Sequence, residues 1–389
     1  MRCMAARLPH FATTSRGTEE LLAAELTELG AAKVKQDRGG VRFHANLREA
    51  LRIVLHSRLA MRVLYPLVEA EAHGAEGLYE AVKSVAWEDH FTLESTFAVE
   101  ATLKDSEHNH SGFVALKVKD AIVDRLREKL GGRPDVDPAN PDLKVVAHLA
   151  KTRLSLSLDL CGEPLNRRGY RVEQTAAPLK ETLAAAILRA AKYRGEEPLA
   201  DPMCGSGTMV IEAALIAMRR APGIHRSFGV ERWPRMMSEA TAILDELKAE
   251  AKAQERVPPF PIFARDREDE AIDATKRNIK AARLGMAVKV ELGDAMFAPA
   301  PESTPGLLVS NPPYGDWLNA GGQKGMKSFY FKLGDALGAW GWRMAILCGN
   351  PAFESAFHHR PSEERELWNG PIECRLLVYP PPRKQAPPA

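Results

Sequence analysis

Residues 199–208, Leu-Ala-Asp-Pro-Met-Cys-Gly-Ser-Gly-Thr, join a short apolar stretch to an apolar helix through a turn built on two glycines. That arrangement restricts the fold more than any other stretch of the chain. The residues before it read as a strand. The run after it carries Val210, Ile211, Ala213, Ala214, Leu215 and Met218 at helical spacing, with Gly223 just past its end. Gly205 and Gly207 allow the backbone to turn tightly and a ligand to approach it closely. The unpaired N–H groups that open the helix suit a carboxylate. A dinucleotide fingerprint needs a third glycine three places after the second, and Val210 stands there instead. On this loop alone, a glycine turn with no ligand is an equal alternative.

From about Gln174 onward helix and strand alternate, which predicts a mostly parallel α/β sheet. In such sheets ligands collect at strand-to-helix turns. Asp201 and the loop residues Cys204, Gly205, Ser206, Gly207 and Thr208 are therefore candidate cofactor ligands. Residues 261–266 form a second short strand ending in Asp266, with Glu268 nearby. A carboxylate so placed accepts both hydroxyls of a ribose. The competing reading is a surface acid in the charged run 265–270. Residues 288–295 read as a third strand and turn, with Asp294 placed either to accept from an adenine amine or to cap the turn.

Residues 307–310 form a fourth apolar strand that runs into Asn311-Pro312-Pro313-Tyr314. The prolines fix φ and remove two backbone donors. That leaves the Asn311 and Pro312 carbonyls and the Asn311 amide oxygen as a stiff set of acceptors. An exocyclic amine on a base is a poor nucleophile because its lone pair is delocalised into the ring. Acceptors that grip its hydrogens draw the lone pair out of conjugation and stabilise positive charge as the nitrogen attacks a sulfonium methyl. Tyr314 is placed to stack on the base, which must be unpaired or flipped to enter. Together the loops predict methyl transfer from S-adenosylmethionine to a nucleobase amine, with positioning as the main source of rate and no metal. The bland alternative is a rigid turn after a buried strand.

The length of 389 residues exceeds one ordinary core, so two or three domains are expected. Hydrophobic residues are 45% and charged residues 27% of the chain, an ordinary globular balance. No run of eighteen apolar residues occurs, and residues 1–7 lack the apolar stretch of a signal peptide, so a cytoplasmic location is expected. The five cysteines form no CxxC pair, which argues against a disulfide framework or a zinc site. A net charge of +2 neither shows nor excludes a basic face. The N-terminal part reads as β-α-β-α-β, then a second αβ unit closed by a hairpin over 144–160. Residues 131–141 read as a surface loop. Residues 161–171 read as the domain junction. Their Arg167, Arg168, Tyr170 and Arg171 are a candidate RNA contact, or a solvated linker with one packed tyrosine. The proline-rich tail reads as disordered or polyproline-like.

Asp201–Thr208 and Ser310–Gly315 resemble the corresponding motifs of the ribosomal RNA large-subunit methyltransferase L family, which are THUMP-domain guanine-N2 methyltransferases. The likeness extends to residues 11–22, 39–43, 117–124, 168–171 and 179–185, and so covers nearly the whole chain. It implies an α+β ferredoxin-like segment at 1–65, a THUMP domain at 66–165, a class I (Rossmann-like) methyltransferase domain at 166–380 and a tail at 381–389. It implies methylation of the N2 amine of a guanine in 23S ribosomal RNA, as free RNA or precursor, and it puts Lys180 and Glu181 beside the cofactor. Methylation of a tRNA guanine, or a non-catalytic role in RNA binding and assembly, are the alternatives. Two departures stand out. The family often has Gly-Ser before the ribose acid, where this chain has Ala264-Arg265. Some members also carry a second domain for a guanine-N7 mark. The chain ends before any such domain, and that activity is not expected of it.

Overall fold

A computed structural model describes residues 6–173, 179–314 and 322–381. They form two compact units. The first takes residues 6–14, 22–165 and 225–250. The second takes the remainder. No helix among the described residues is long and apolar enough to cross a membrane.

The first unit is built from β1 (Leu8–Thr13), α1 (Glu19–Glu28) from Leu22 onward, β2 (Ala32–Asp37), β3 (Gly40–Ala45), α2 (Leu47–His56) and β4 (Arg62–Glu71), then α3 (Gly74–Lys83), β5 (Thr96–Lys104), α4 (Ser111–Leu130), β6 (Asp135–Val136), β7 (Leu143–Ala150) and β8 (Arg153–Asp159). Local signals set the ends of these elements. Asn46 caps α2 through a reciprocal box with Glu49. Gly131, at φ 75, ends α4. In β7, buried Leu143, Val145, Ala147 and Leu149 alternate with less buried neighbours, as the period of two requires.

Among the described residues the strands form one eight-stranded sheet in the order β2-β3-β1-β4-β8-β7-β5-β6. The expected β-α-β-α-β order gains a strand, β2. Ala-Lys-Val-Lys-Gln-Asp has almost nothing to bury and lies at the sheet edge, held by its pairing with β3. The 131–141 loop likewise contains β6, which pairs in parallel with β5. β4 pairs with β1 through residues 62–64 and with β8 from Leu64 to Glu71. Residues 65 and 66 therefore lie inside one continuous strand.

The second unit contains α5 (Glu181–Ala190), β9 (Leu199–Asp201), α6 (Thr208–Ala217), the end of α7 (Met237–Ala253), β10 (Ile262–Asp266), α8 (Asp269–Ala281), β11 (Val288–Leu292), β12 (Leu307–Ser310), α9 (Gly322–Gly338), β13 (Arg343–Cys348), α10 (Ala352–Phe357), β14 (Glu363–Asn369) and β15 (Ile372–Tyr379). Its seven strands run β11-β10-β9-β12-β13-β15-β14. The first five are parallel, and β15 is antiparallel to both neighbours. One apolar cluster packs α5, α6 and α8 on the sheet; another packs α9 and α10. The chain leaves β9 first toward β10 and later returns on its other side as β12. That reversal opens a crevice at the carboxyl ends of the strands.

Candidate active site

A cavity of about 370 Å³ lies at those strand ends. Its wall includes Asp201 from the end of β9, then Cys204, Gly205, Ser206 and Thr208 from the turn into α6. Asp266 from the end of β10, Asp294 after β11, and Asn311, Pro312, Pro313 and Tyr314 after β12 complete it. Eleven of the fourteen candidate residues thus meet in one place, delivered by four parallel strands.

Gly207, Lys180 and Glu181 do not line the cavity. Gly207, at φ 83, faces α8: a Cβ there would come within 2.9 Å of the Thr275 side chain. This glycine serves the contact between loop and helix, not access for a ligand. Gly207→Ala is expected to cost roughly 1–3 kcal/mol of stability through strain at that φ and overlap with Thr275. Urea unfolding measures the loss. Lys180 is exposed at the start of α5. Glu181 is buried and accepts from Arg171 Nε at 2.9 Å. Leu179, just before them, is the neighbour that does reach the cavity.

The charged groups of the wall are mostly acidic. Asp201 is buried, and lost solvation pushes its pKa up to about 8, with the Asp266 charge adding to the rise and the Met203 N–H opposing it. Asp266 Oδ2 accepts from Gly205 N at 2.8 Å and Oδ1 from Glu268 N at 3.2 Å, which fixes the carboxylate at the lip of the glycine turn. Asp294 Oδ1 accepts from Met296 N at 2.9 Å. It caps the turn while still facing the cavity, so the two readings of this residue are compatible. Burial holds the Cys204 thiol well above its usual range, so it stays neutral.

In the catalytic-loop candidate, Asn311 Oδ1 is buried and accepts no hydrogen bond among the described residues. Buried acceptors are nearly always satisfied, so an orphan in a cavity wall marks a place for a donor. Pro313 O accepts from Tyr330 Oη at 2.9 Å, which anchors the loop to α9. Tyr314 Oη accepts from Asn369 Nδ2 at 2.9 Å. The Tyr314 ring lies so close to Gly349 that a Cβ there would be 2.9 Å from it. Asn369 and Ile372, from the β14–β15 hairpin, and Phe329 from α9 also line the cavity. None of these is visible as a site residue in the sequence.

The junction cluster turns inward. Tyr170 is buried with Oη 3.0 Å from Glu212 Oε1, and Arg168 lies 3.5 Å from the same oxygen. Arg171 also reaches Thr208 Oγ1 at 3.2 Å. Of the four, only Arg167 is exposed. Arg168 and Arg171 form neither an RNA surface nor a solvated linker, because Glu212 and Glu181 hold them inside the unit, and Tyr170 is packed.

A mostly parallel seven-stranded sheet, with β15 reversed between β13 and β14 and a glycine turn after β9, defines the class I fold of S-adenosylmethionine-dependent methyltransferases. Profiles of known families agree. "RMKL-like, methyltransferase domain" matches residues 168–377, "THUMP domain" residues 72–159 and "RlmL ferredoxin-like domain" residues 10–64. The chain belongs to the RMKL-like methyltransferase family. It is 44% identical to the ribosomal RNA large subunit methyltransferase K/L of Syntrophotalea carbinolica, over 97% of this chain and 54% of that protein. It is 39% identical to a putative RNA methyltransferase of a Synechocystis species, over 95% and 96% of the two chains. The chain therefore spans about half the length of the K/L relatives it matches. Among solved structures it resembles SMU.472, a putative methyltransferase complexed with SAH, at TM-score 0.89 and 28% identity over 98% and 100% of the chains. It also resembles a predicted N6-adenine-specific DNA methylase from Listeria monocytogenes at TM-score 0.85 and 29% identity, over 97% of each chain.

Proposed function

We propose that this protein transfers a methyl group from S-adenosylmethionine to the exocyclic N2 amine of a guanine in 23S ribosomal RNA. The observation that carries the reading is the orphaned Asn311 Oδ1 in the wall of the strand-end cavity. A primary amine supplies the donor that this oxygen lacks. With the carbonyl of Pro312 it forms the pair of acceptors that a planar NH2 group needs.

The wall also fits the methyl donor. Asp266, Glu268 and Asp294 face the cavity, opposed by Arg267. A net negative wall suits a ligand with an ammonium and a sulfonium against one carboxylate. Asp266 keeps acceptor capacity for ribose hydroxyls beyond its two backbone bonds. When bound, the donor supplies an electrophilic methyl on sulfur. The chain's own residues orient the amine, accept its hydrogens at Asn311 Oδ1 and Pro312 O, and support the base on Tyr314. Tyr330 and Asn369 keep that loop from shifting. No side chain is required as a covalent nucleophile.

The RNA substrate follows from the company of the methyltransferase unit. THUMP and ferredoxin-like matches precede it, and the K/L relatives are named for large-subunit ribosomal RNA. We assign 1–65 to the ferredoxin-like segment, 66–165 to the THUMP domain and 166–380 to the methyltransferase domain; the rest of the tail, 382–389, lies outside the described residues. The test incubates the protein with labelled S-adenosylmethionine and separate pools of 23S, 16S and transfer RNA, then identifies the modified nucleoside by mass spectrometry. N2-methylguanosine in the 23S pool alone is the expected product. Label in transfer RNA alone overturns the substrate. N6-methyladenosine, in RNA or DNA, overturns the guanine assignment.

A further inference from the structure

The turn at Gly205–Gly207 is tied to α8 by two side chains that do not line the cavity. Asn278 is buried, at 1% exposure. Its Oδ1 accepts from Val172 N at 2.9 Å and Glu173 N at 3.1 Å. Its Nδ2 donates to Glu173 O at 3.0 Å and Ser206 O at 2.9 Å. Amide N–H groups only donate and carbonyls only accept, so these four partners fix which end of the amide is which. One turn earlier on α8, Thr275 is fully buried and donates from Oγ1 to Gly205 O at 2.8 Å. Two successive carbonyls of the loop are thus tied to one helix.

The consequence lies on the other side of each peptide. In a trans peptide the C=O and N–H point in opposite directions. Holding Gly205 O against α8 turns the Ser206 N–H away from α8, and Ser206 lines the cavity. Holding Ser206 O sets the next peptide, whose Gly207 N–H bonds to Cys204 O at 2.8 Å and leads directly into α6. Asp266 takes the remaining loop donor, Gly205 N. A turn with two glycines has more backbone freedom than any other, and ordering it at the moment of binding costs affinity. Thr275 and Asn278 order it beforehand.

We propose that Thr275 and Asn278 are positioning residues for the methyl donor, acting through the Gly205 and Ser206 carbonyls to aim the Ser206 N–H at its carboxylate. The proposal rests on the reading that the cavity takes S-adenosylmethionine. Purely structural struts would lower the melting temperature and leave donor affinity of the folded protein alone. Positioning residues move the affinity itself.

Thr275→Val removes the hydroxyl and keeps the shape. Isothermal titration with S-adenosylhomocysteine is expected to show about tenfold weaker binding, from loss of the bond to Gly205 O and of the weaker contact with Cys204 Sγ at 3.6 Å. KM for S-adenosylmethionine rises by a similar factor, while kcat at saturating donor stays within about twofold. Thr275→Ser restores both. Asn278→Asp keeps the acceptor for Val172 and Glu173 but turns a carboxylate oxygen on the Ser206 carbonyl, and a larger loss of affinity is expected. If that variant does not fold, the Thr275 pair still decides. A folded Thr275→Val protein that binds S-adenosylhomocysteine as the wild type does overturns the proposal, and so does a serine variant that fails to rescue. A wild-type protein that does not bind S-adenosylhomocysteine overturns the cofactor reading itself, and this assignment with it.

Discussion

Asn311→Ala is expected to lower kcat for methyl transfer by about 10²–10³-fold, the range seen when one preorganised stabilising contact to a transition state is removed. Donor affinity should stay within about twofold, because Asn311 is assigned to the amine and not to the cofactor. The sign of the stability change separates this residue from an ordinary buried asparagine. Deleting a satisfied buried amide leaves its partners unpaired and costs about 1–3 kcal/mol. Asn311 Oδ1 has no partner to strand among the described residues, so the alanine variant should be as stable as the wild type or more so. Single-turnover methylation of 23S RNA, S-adenosylhomocysteine titration and thermal unfolding measure the three quantities. Wild-type turnover in the alanine variant removes Asn311 from the chemistry. A large loss of stability with unchanged chemistry makes it a structural residue.

The parts of this site that were legible in the sequence share one property: their signal is local. Asp201, the 204–208 turn, Asp266, Asp294 and 311–314 each follow a short apolar strand directly, so a parallel sheet was enough to bring them together. Residues that line the cavity or brace its loops by other routes left no such trace. Asn369 and Ile372 come from the turn of an antiparallel hairpin placed beside β13 by long-range pairing. Tyr330 sits in the middle of α9 and looks like any core aromatic until its hydroxyl meets the Pro313 carbonyl. Charge misled in the opposite direction. Arg168 and Arg171 read as an exposed basic cluster because the sequence hides Glu212 and Glu181, which turn them inward. β2 was missed for a physical reason as well, since an exposed edge strand with little to bury shows no alternation.

Asp201 makes the largest pH-dependent prediction. Burial raises its pKa from the ordinary carboxylate range to about 8. A raised pKa means the folded state holds a proton that the unfolded state releases. The contribution to stability is therefore full below about pH 4 and is lost as the pH rises toward 8, above which it levels off. Donor binding reverses this preference. The ammonium of the ligand favours the ionised carboxylate, so binding at neutral pH must expel the proton. The Kd for S-adenosylhomocysteine is accordingly expected to fall with rising pH between about 6 and 8, approaching tenfold per unit, and to flatten above that. Titration at pH 7 in buffers of differing ionisation enthalpy should register close to one proton released per ligand bound. Asp201→Asn cannot ionise: it should lose the pH slope and the proton release together, and bind about 10–100-fold more weakly at pH 8, where the wild-type contact is a charge-assisted hydrogen bond. The same slope in wild type and Asp201→Asn would assign the titration to a group other than Asp201. A flat profile in the wild type would place the carboxylate away from the ligand's ammonium.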